Sequence, residues 1–150
     1  MITKIKAFIN DQDGSESIEM VYSTAVLISF ILVALMVMTY IFALNNVRLA
    51  TRRICRDIEV TGIVASQIEL DNTFRSALSS SQYSGHDIDV TNLSGFNIAG
   101  YQVDFLDTFI VRGHCDFEIP LLNPGTFTGY TISLPITIQL SGLSEVKHSN

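Results

Sequence analysis

The chain has 150 residues, room for one modest domain, with 47% apolar residues, a mean hydropathy of +0.34 and a formal net charge of −6. The acidity is concentrated in the second half: from Asp57 to Asn150 eleven Asp and Glu stand against three basic residues, Arg75, Arg112 and Lys147. Such a surface repels phosphate backbones and disfavours nucleic acid as a partner. The chain also lacks a phosphate loop, a dinucleotide-binding glycine turn, zinc-ligand spacing and a serine-nucleophile motif, so neither enzyme nor cofactor is expected.

Residues 1–14 read as a short hydrophilic segment, 15–62 as a long helix, and 63–150 as a second helix with an antiparallel β domain, an α+β chain. Asp13-Gly14-Ser15-Glu16-Ser17-Ile18-Glu19 runs directly into an apolar stretch. Ser15 or Ser17 suits the N-cap of that helix, and Glu16 and Glu19 in its first turn complement the helix dipole. Between Glu19 and Arg48 there is no charged residue. Met20 to Leu44 is 25 residues, which as a helix rises about 38 Å against a hydrocarbon core of about 30 Å. Thirteen of these residues are Leu, Ile, Val or Phe, together contributing about 4–8 kcal/mol toward insertion. The remaining polar groups, among them Thr24, Ser29 and Thr39, are hydroxyls that a helix satisfies against its own carbonyls. The stretch is too long for a cleaved signal sequence and no small-residue cleavage pattern follows it. The rest of the chain is too small to bury such a helix on all sides. The expected setting is a cell membrane crossed once.

Val47, Ile54 and Ile58 carry the helix on to about Val60, and Gly62 marks its end. Arg48, Arg52 and Arg56 recur every fourth residue as one basic stripe. The simpler reading is a solvated face with Glu59 near Arg56; the alternative is contact with anionic headgroups. A second helix is expected over Ala65–Leu78 with Ile68, Phe74 and Leu78 on its apolar side, followed by loop through Ser79-Ser80-Ser81 and Ser84-Gly85. Weak strands are expected at Asp87–Val90 and Tyr101–Phe105. Phe109, Val111, Cys115, Phe117 and Ile119 alternate with polar residues as one buried strand face. Ile132, Leu134, Ile136, Ile138 and Leu140 do the same, with Pro135 arguing for an edge or a bulge. Asn123-Pro124-Gly125 supplies turn chemistry that would pair these two strands antiparallel.

Cys55 and Cys115 are the only cysteines. A disulfide would tie the helix to the sheet and contribute roughly 4 kcal/mol by loop closure; the alternative is two buried thiols acting as small apolar residues. His114-Cys115 does not make a catalytic pair, because strand neighbours point to opposite faces. His114, Asp116 and Glu118 share a face, which reads as solvated polar surface rather than a metal site.

The Gly14-Ser15 junction, with Glu19 five residues after Gly14 and an apolar helix behind it, resembles the processing site of type IV pilin-like proteins. It is most similar to the TadE-like minor pilins of the tight-adherence system. The resemblance implies cleavage after Gly14, Ser15 as the first mature residue, and Glu19 pairing with the amine of a neighbouring subunit. A carboxylate at the edge of hydrocarbon is far cheaper when so paired. It further implies a pilin-like architecture, other pilin-like subunits or pilus assembly proteins as partners alongside the lipid bilayer, and a role in secretion or adhesion. The alternative is an uncleaved, membrane-tethered accessory protein that binds a partner. Counting Lys and Arg alone would put the C-terminal side inside the cell; the resemblance implies the opposite, an extracytoplasmic β domain. Arg52-Arg53-Ile54-Cys55-Arg56-Asp57-Ile58-Glu59-Val60-Thr61-Gly62 and the closing Ser141-Gly142-Leu143-Ser144-Glu145 are also similar to a group of short single-span proteins of unassigned function from Gram-positive bacteria.

Overall fold

The computed structural model describes residues 12–78, 80–121 and 130–146. The elements in chain order are α1 (Gln12–Thr61), α2 (Gln67–Ala77), β1 (Tyr83–Asn92), β2 (Thr108–Leu121) and β3 (Tyr130–Leu143), an α+β layout. The chain divides into two compact units between Thr39 and Tyr40, so the boundary falls inside α1.

In the first unit α1 is apolar and exposed. From Ile18 to Thr39 every side chain is exposed except Met36, which is half-buried. The hydroxyls behave as the helical reading requires: Thr24, Ser29 and Thr39 donate to the carbonyls of Met20, Ala25 and Leu35 at 2.7–2.8 Å. These three hydroxyls are therefore satisfied within the helix and need no water.

In the second unit α1 becomes one-sided. Ala43, Val47, Ala50, Thr51, Ile54, Cys55 and Ile58 are buried, a stripe at helical spacing. Gly62, with φ +65°, ends the helix and donates its N–H to the Ile58 carbonyl at 2.8 Å. A left-handed residue there is the common way of satisfying the last carbonyls, and glycine adopts it without strain. The helix thus runs one residue past the expected Val60.

Ser66 caps α2 from extended geometry, and the Glu69 carboxylate accepts from the Ser66 N–H and hydroxyl at 3.3 and 3.2 Å. The buried face of α2 is Leu70, Phe74 and, just past its end, Leu78. Ile68, expected on that face, is 74% exposed. The four-residue spacing selects Leu70 as the partner of Phe74 and Leu78, whereas Ile68 lies about a third of a turn away.

The three strands form one antiparallel sheet in the order β1-β2-β3. The expected pairing of the two long strands holds without a register shift, from Thr108↔Leu143 to Leu121↔Tyr130. The Asn123-Pro124-Gly125 turn lies outside the described residues. Pro135 sits on an edge strand, opposite Asp116. Ser84-Gly85 is not loop but the start of β1: the register against β2 shifts between Ser84 and Asp87, and Gly85 takes φ +58° at that bulge. Tyr101–Phe105 forms no strand of the sheet. Its backbone pairs with the α1–α2 connection instead, Val64 N–H to the Tyr101 carbonyl and Val103 N–H to the Gly62 carbonyl, and only Val103 is buried.

The core lies between the helices and one face of the sheet. All five apolar residues expected on the inner face of β2 are buried, with Phe109, Val111 and Cys115 fully so. On β3 the matching face is covered unevenly: Ile136 is 2% exposed but Ile132 is 40% exposed. Two glycines permit the close approach of the helices. A Cβ on Gly113 would collide with Thr51 Oγ1 and come within 3.1 Å of the Phe74 ring. A Cβ on Gly142 would collide with the Phe109 ring and lie 2.9 Å from Cys55 Sγ.

Candidate functional site

The two segments singled out in the sequence, Arg52–Gly62 and Ser141–Glu145, come together at the end of α1. The Arg56 guanidinium donates to Glu59 and to Glu145, each at 3.0 Å. These carboxylates, Glu59 foremost, raise the pKa of Arg56 above its ordinary value. The Glu145 N–H donates to the Glu59 carbonyl at 3.0 Å, satisfying one of the carbonyls that a helix end leaves open. Ser144 is fully buried; its hydroxyl donates to the Val103 carbonyl at 3.3 Å and its N–H to the Asp107 carbonyl at 3.0 Å. The closing strand therefore locks the helix terminus by backbone and ionic contacts.

Beside this lock runs an open groove of about 610 Å³ lined by Arg48, Arg52, Cys55, Arg56, Glu59, Leu140 and Ser141. A second groove, of about 760 Å³, lies between α1 and α2, where Leu49, Arg53, Asp57 and Thr73 are among its walls; Arg52 and Arg56 line both grooves, Arg53 only this one. Arg48, Arg52, Arg53 and Arg56 are all exposed. Among the described residues only Arg56 of these four has a carboxylate within ion-pair distance. The expected proximity of Glu59 to Arg56 is thus present, with Glu145 as a partner that sequence spacing could not supply.

Cys55 and Cys115, the possible disulfide pair, are both buried and both free. Thr51 sits over Gly113 and Cys55 over the Gly142–Phe109 pair, so α1 runs antiparallel to β2. Cys115 lies on the other side of Gly113. Four helical residues and two strand residues put the cysteines on the order of 12 Å apart along this direction, beyond the roughly 7 Å Cα separation that a disulfide spans. Burial pushes both thiols up to about 11, with Glu59 adding to the shift at Cys55 and Asp116 at Cys115, while Arg52 opposes it at Cys55.

These folded-state values lie above the ordinary 9.0. The unfolded chain loses its thiol protons first, so stability from this source is fully present below pH 9 and declines as pH rises toward about 11. An impermeant maleimide at pH 7.5 is expected to leave both thiols of the folded protein unmodified and to label both on denaturation. Rapid labelling of either in the folded state would contradict the buried placement.

The remaining candidates do not converge on chemistry. Among the described residues no three His, Cys, Asp or Glu are grouped to hold a metal ion. The His114 ring is 2.8 Å from the Thr137 hydroxyl, and Glu118 accepts from the Ser84 hydroxyl at 2.7 Å. Gly14 and Ser15 lie in the first turns of α1, whose helical backbone begins at Gln12, and Glu19 is exposed on the same helix. His86 escaped the sequence reading. It lies in the β1 bulge, meets the Phe74 ring edge-on, and its Nε2 is buried without a hydrogen-bond partner among the described residues. Burial, and then the Arg75 charge, hold its pKa below the usual histidine value. The signal for Gly113 and Gly142 was a glycine inside a strand pattern, which marks a close approach.

No family model matches the chain, no curated protein matches it in sequence, and no solved structure matches it in fold.

Proposed function

We propose that the chain is a single-pass membrane protein acting as a pilin-like structural subunit, a minor pilin or pseudopilin of a secretion or adhesion apparatus. One observation carries the membrane part of this reading: α1 is uncharged from Met20 to Val47 and its apolar side chains through Thr39 are exposed, all but the half-buried Met36. In water such a surface is unfavourable at about 25 cal/mol per Å²; in a bilayer, or against neighbouring apolar helices, it is satisfied. The pilin part rests on the Gly14-Ser15 junction with Glu19 beyond it. In this role the span packs with the helices of other subunits and the β domain faces outward.

Co-expression with a prepilin peptidase tests the role. The expected intact mass is that of a chain beginning at Ser15. A mass that keeps Met1 to Gly14 would leave the second reading, an uncleaved tethered accessory protein. That second reading is favoured by the start of α1 at Gln12, which puts the Gly14–Ser15 bond in helical backbone that a peptidase must unwind.

Thiol labelling of intact cells tests the orientation. A cysteine substituted at Ser149 is expected to react with an impermeant reagent, and one at Thr3 is not. The reverse pattern would mean that the arginines after the span set the topology and the β domain is cytoplasmic.

A further inference from the structure

We propose that the groove between α1 and β3 binds the phosphate headgroup of an anionic phospholipid, with Arg48 and Arg52 as its cationic wall; this rests on the membrane-anchored reading above. The arginines differ in what they already hold. Arg56 is taken by Glu59 and Glu145, whereas Arg48 and Arg52, which line the same groove, have no carboxylate within ion-pair distance among the described residues. They stay unpaired although the chain from Asp57 onward is strongly acidic.

Their distance from the apolar run fits a headgroup. Arg48 and Arg52 lie four and eight residues past Leu44, about 6 and 12 Å of helical rise. The interfacial layer is roughly 5–8 Å deep, and an arginine side chain can reach back toward it along the helix. Arg56, about 18 Å past Leu44 by the same measure, is beyond this reach, and it is the one neutralised within the protein.

The same helical face supplies room for the rest of a lipid. Ile41 and Leu44 precede Arg48 by seven and four residues, so they stand below it on one stripe. Ile41 is 53% exposed and Leu44 half-buried. An acyl chain along Ile41 and Leu44 with its phosphate at Arg48 and Arg52 matches apolar to apolar and anion to cation, which a soluble anion would not. Guanidinium groups suit this ligand because they bind phosphate oxygens bidentately.

The test uses the full chain reconstituted in phosphatidylcholine vesicles with trace spin-labelled phosphatidylglycerol or phosphatidylcholine, reading the motionally restricted lipid at the protein surface. Near a membrane each engaged arginine is expected to favour the anionic lipid about fivefold. The wild-type preference should therefore be at least about fivefold, fall toward one in the Arg48→Gln/Arg52→Gln double variant, and survive in Arg53→Gln, whose side chain lines the other groove. Three results would overturn the proposal: no wild-type preference, an equal loss in Arg53→Gln, or a preference abolished by inorganic phosphate at fixed ionic strength, which would make the groove a soluble-anion site. Retention of the protein in pure phosphatidylcholine vesicles through an alkaline wash is scored separately. Loss there would sink the membrane-anchored reading and this proposal with it, whereas retention without lipid preference would sink only the proposal.

Discussion

Replacing Phe109 with alanine is expected to lower the unfolding free energy of the β domain by about 3–5 kcal/mol, the usual cost of removing a buried phenyl ring. Phe109 is fully buried at the start of β2, opposite the final residues of β3. Its ring occupies the space that a side chain at the paired Gly142 would need, with Cys55 Sγ on the far wall. The cavity left by the ring would therefore open at the junction of α1, β2 and β3. That geometry makes a second result equally specific. Gly142→Ala alone should destabilise by about 1–3 kcal/mol through overpacking against the ring. In the Phe109→Ala background the same methyl group enters the vacated space, and its cost should shrink or change sign. The two effects should then fail to add, as contacting residues do. Denaturant titration of the full chain in detergent micelles, followed by circular dichroism, measures all four corners of the cycle. Strict additivity would show that Phe109 and Gly142 do not share this space.

The second large effect concerns Glu19, exposed near the start of the apolar stretch. In the pilin-like reading its carboxylate meets an amine or another cation at the contact between subunits. Glu19→Gln removes the charge and keeps the shape. Membrane insertion should survive, because the apolar run supplies that free energy and a neutral side chain is cheaper near hydrocarbon. Assembly with partners should fall, because the partner's charge is left unpaired, a loss of roughly 3–5 kcal/mol where the pair is buried. A carboxylate that serves only the helix dipole predicts a change of at most about 1 kcal/mol in helix stability and no assembly defect. Crosslinking of the variant to its apparatus, compared with wild type at equal membrane levels, separates the two. Undiminished crosslinking would count against the pairing role.

Legibility in the sequence followed the range of the interaction. Gly62 was readable as the end of α1 because the stop lies in its own backbone freedom. The β2 face was readable because every second residue from Phe109 to Ile119 is small or apolar, and every one is buried. The β1 start was misread as loop because Ser84-Gly85 has the composition of a turn, and only pairing with β2 turns it into a bulged strand. Tyr101–Phe105 failed in the opposite sense. Its alternation is strand-like, but its backbone partners lie between the helices and not in the sheet.

The sequence by itself determined the apolar helix, because an uncharged run long enough to cross a membrane satisfies its backbone within itself as a helix. It also determined the two long strands and their antiparallel pairing, since period-two alternation specifies a face and a register. Only the tertiary structure decided how much of each face is covered: Ile132 and Ile136 share one alternation on β3, yet one is 40% and the other 2% exposed. It also decided that the cysteines stay apart and that Arg56 finds Glu145 across 89 residues. Local pattern records which way a side chain points. What it meets depends on the crossing of α1 over the sheet, set by the absent side chains of Gly113 and Gly142.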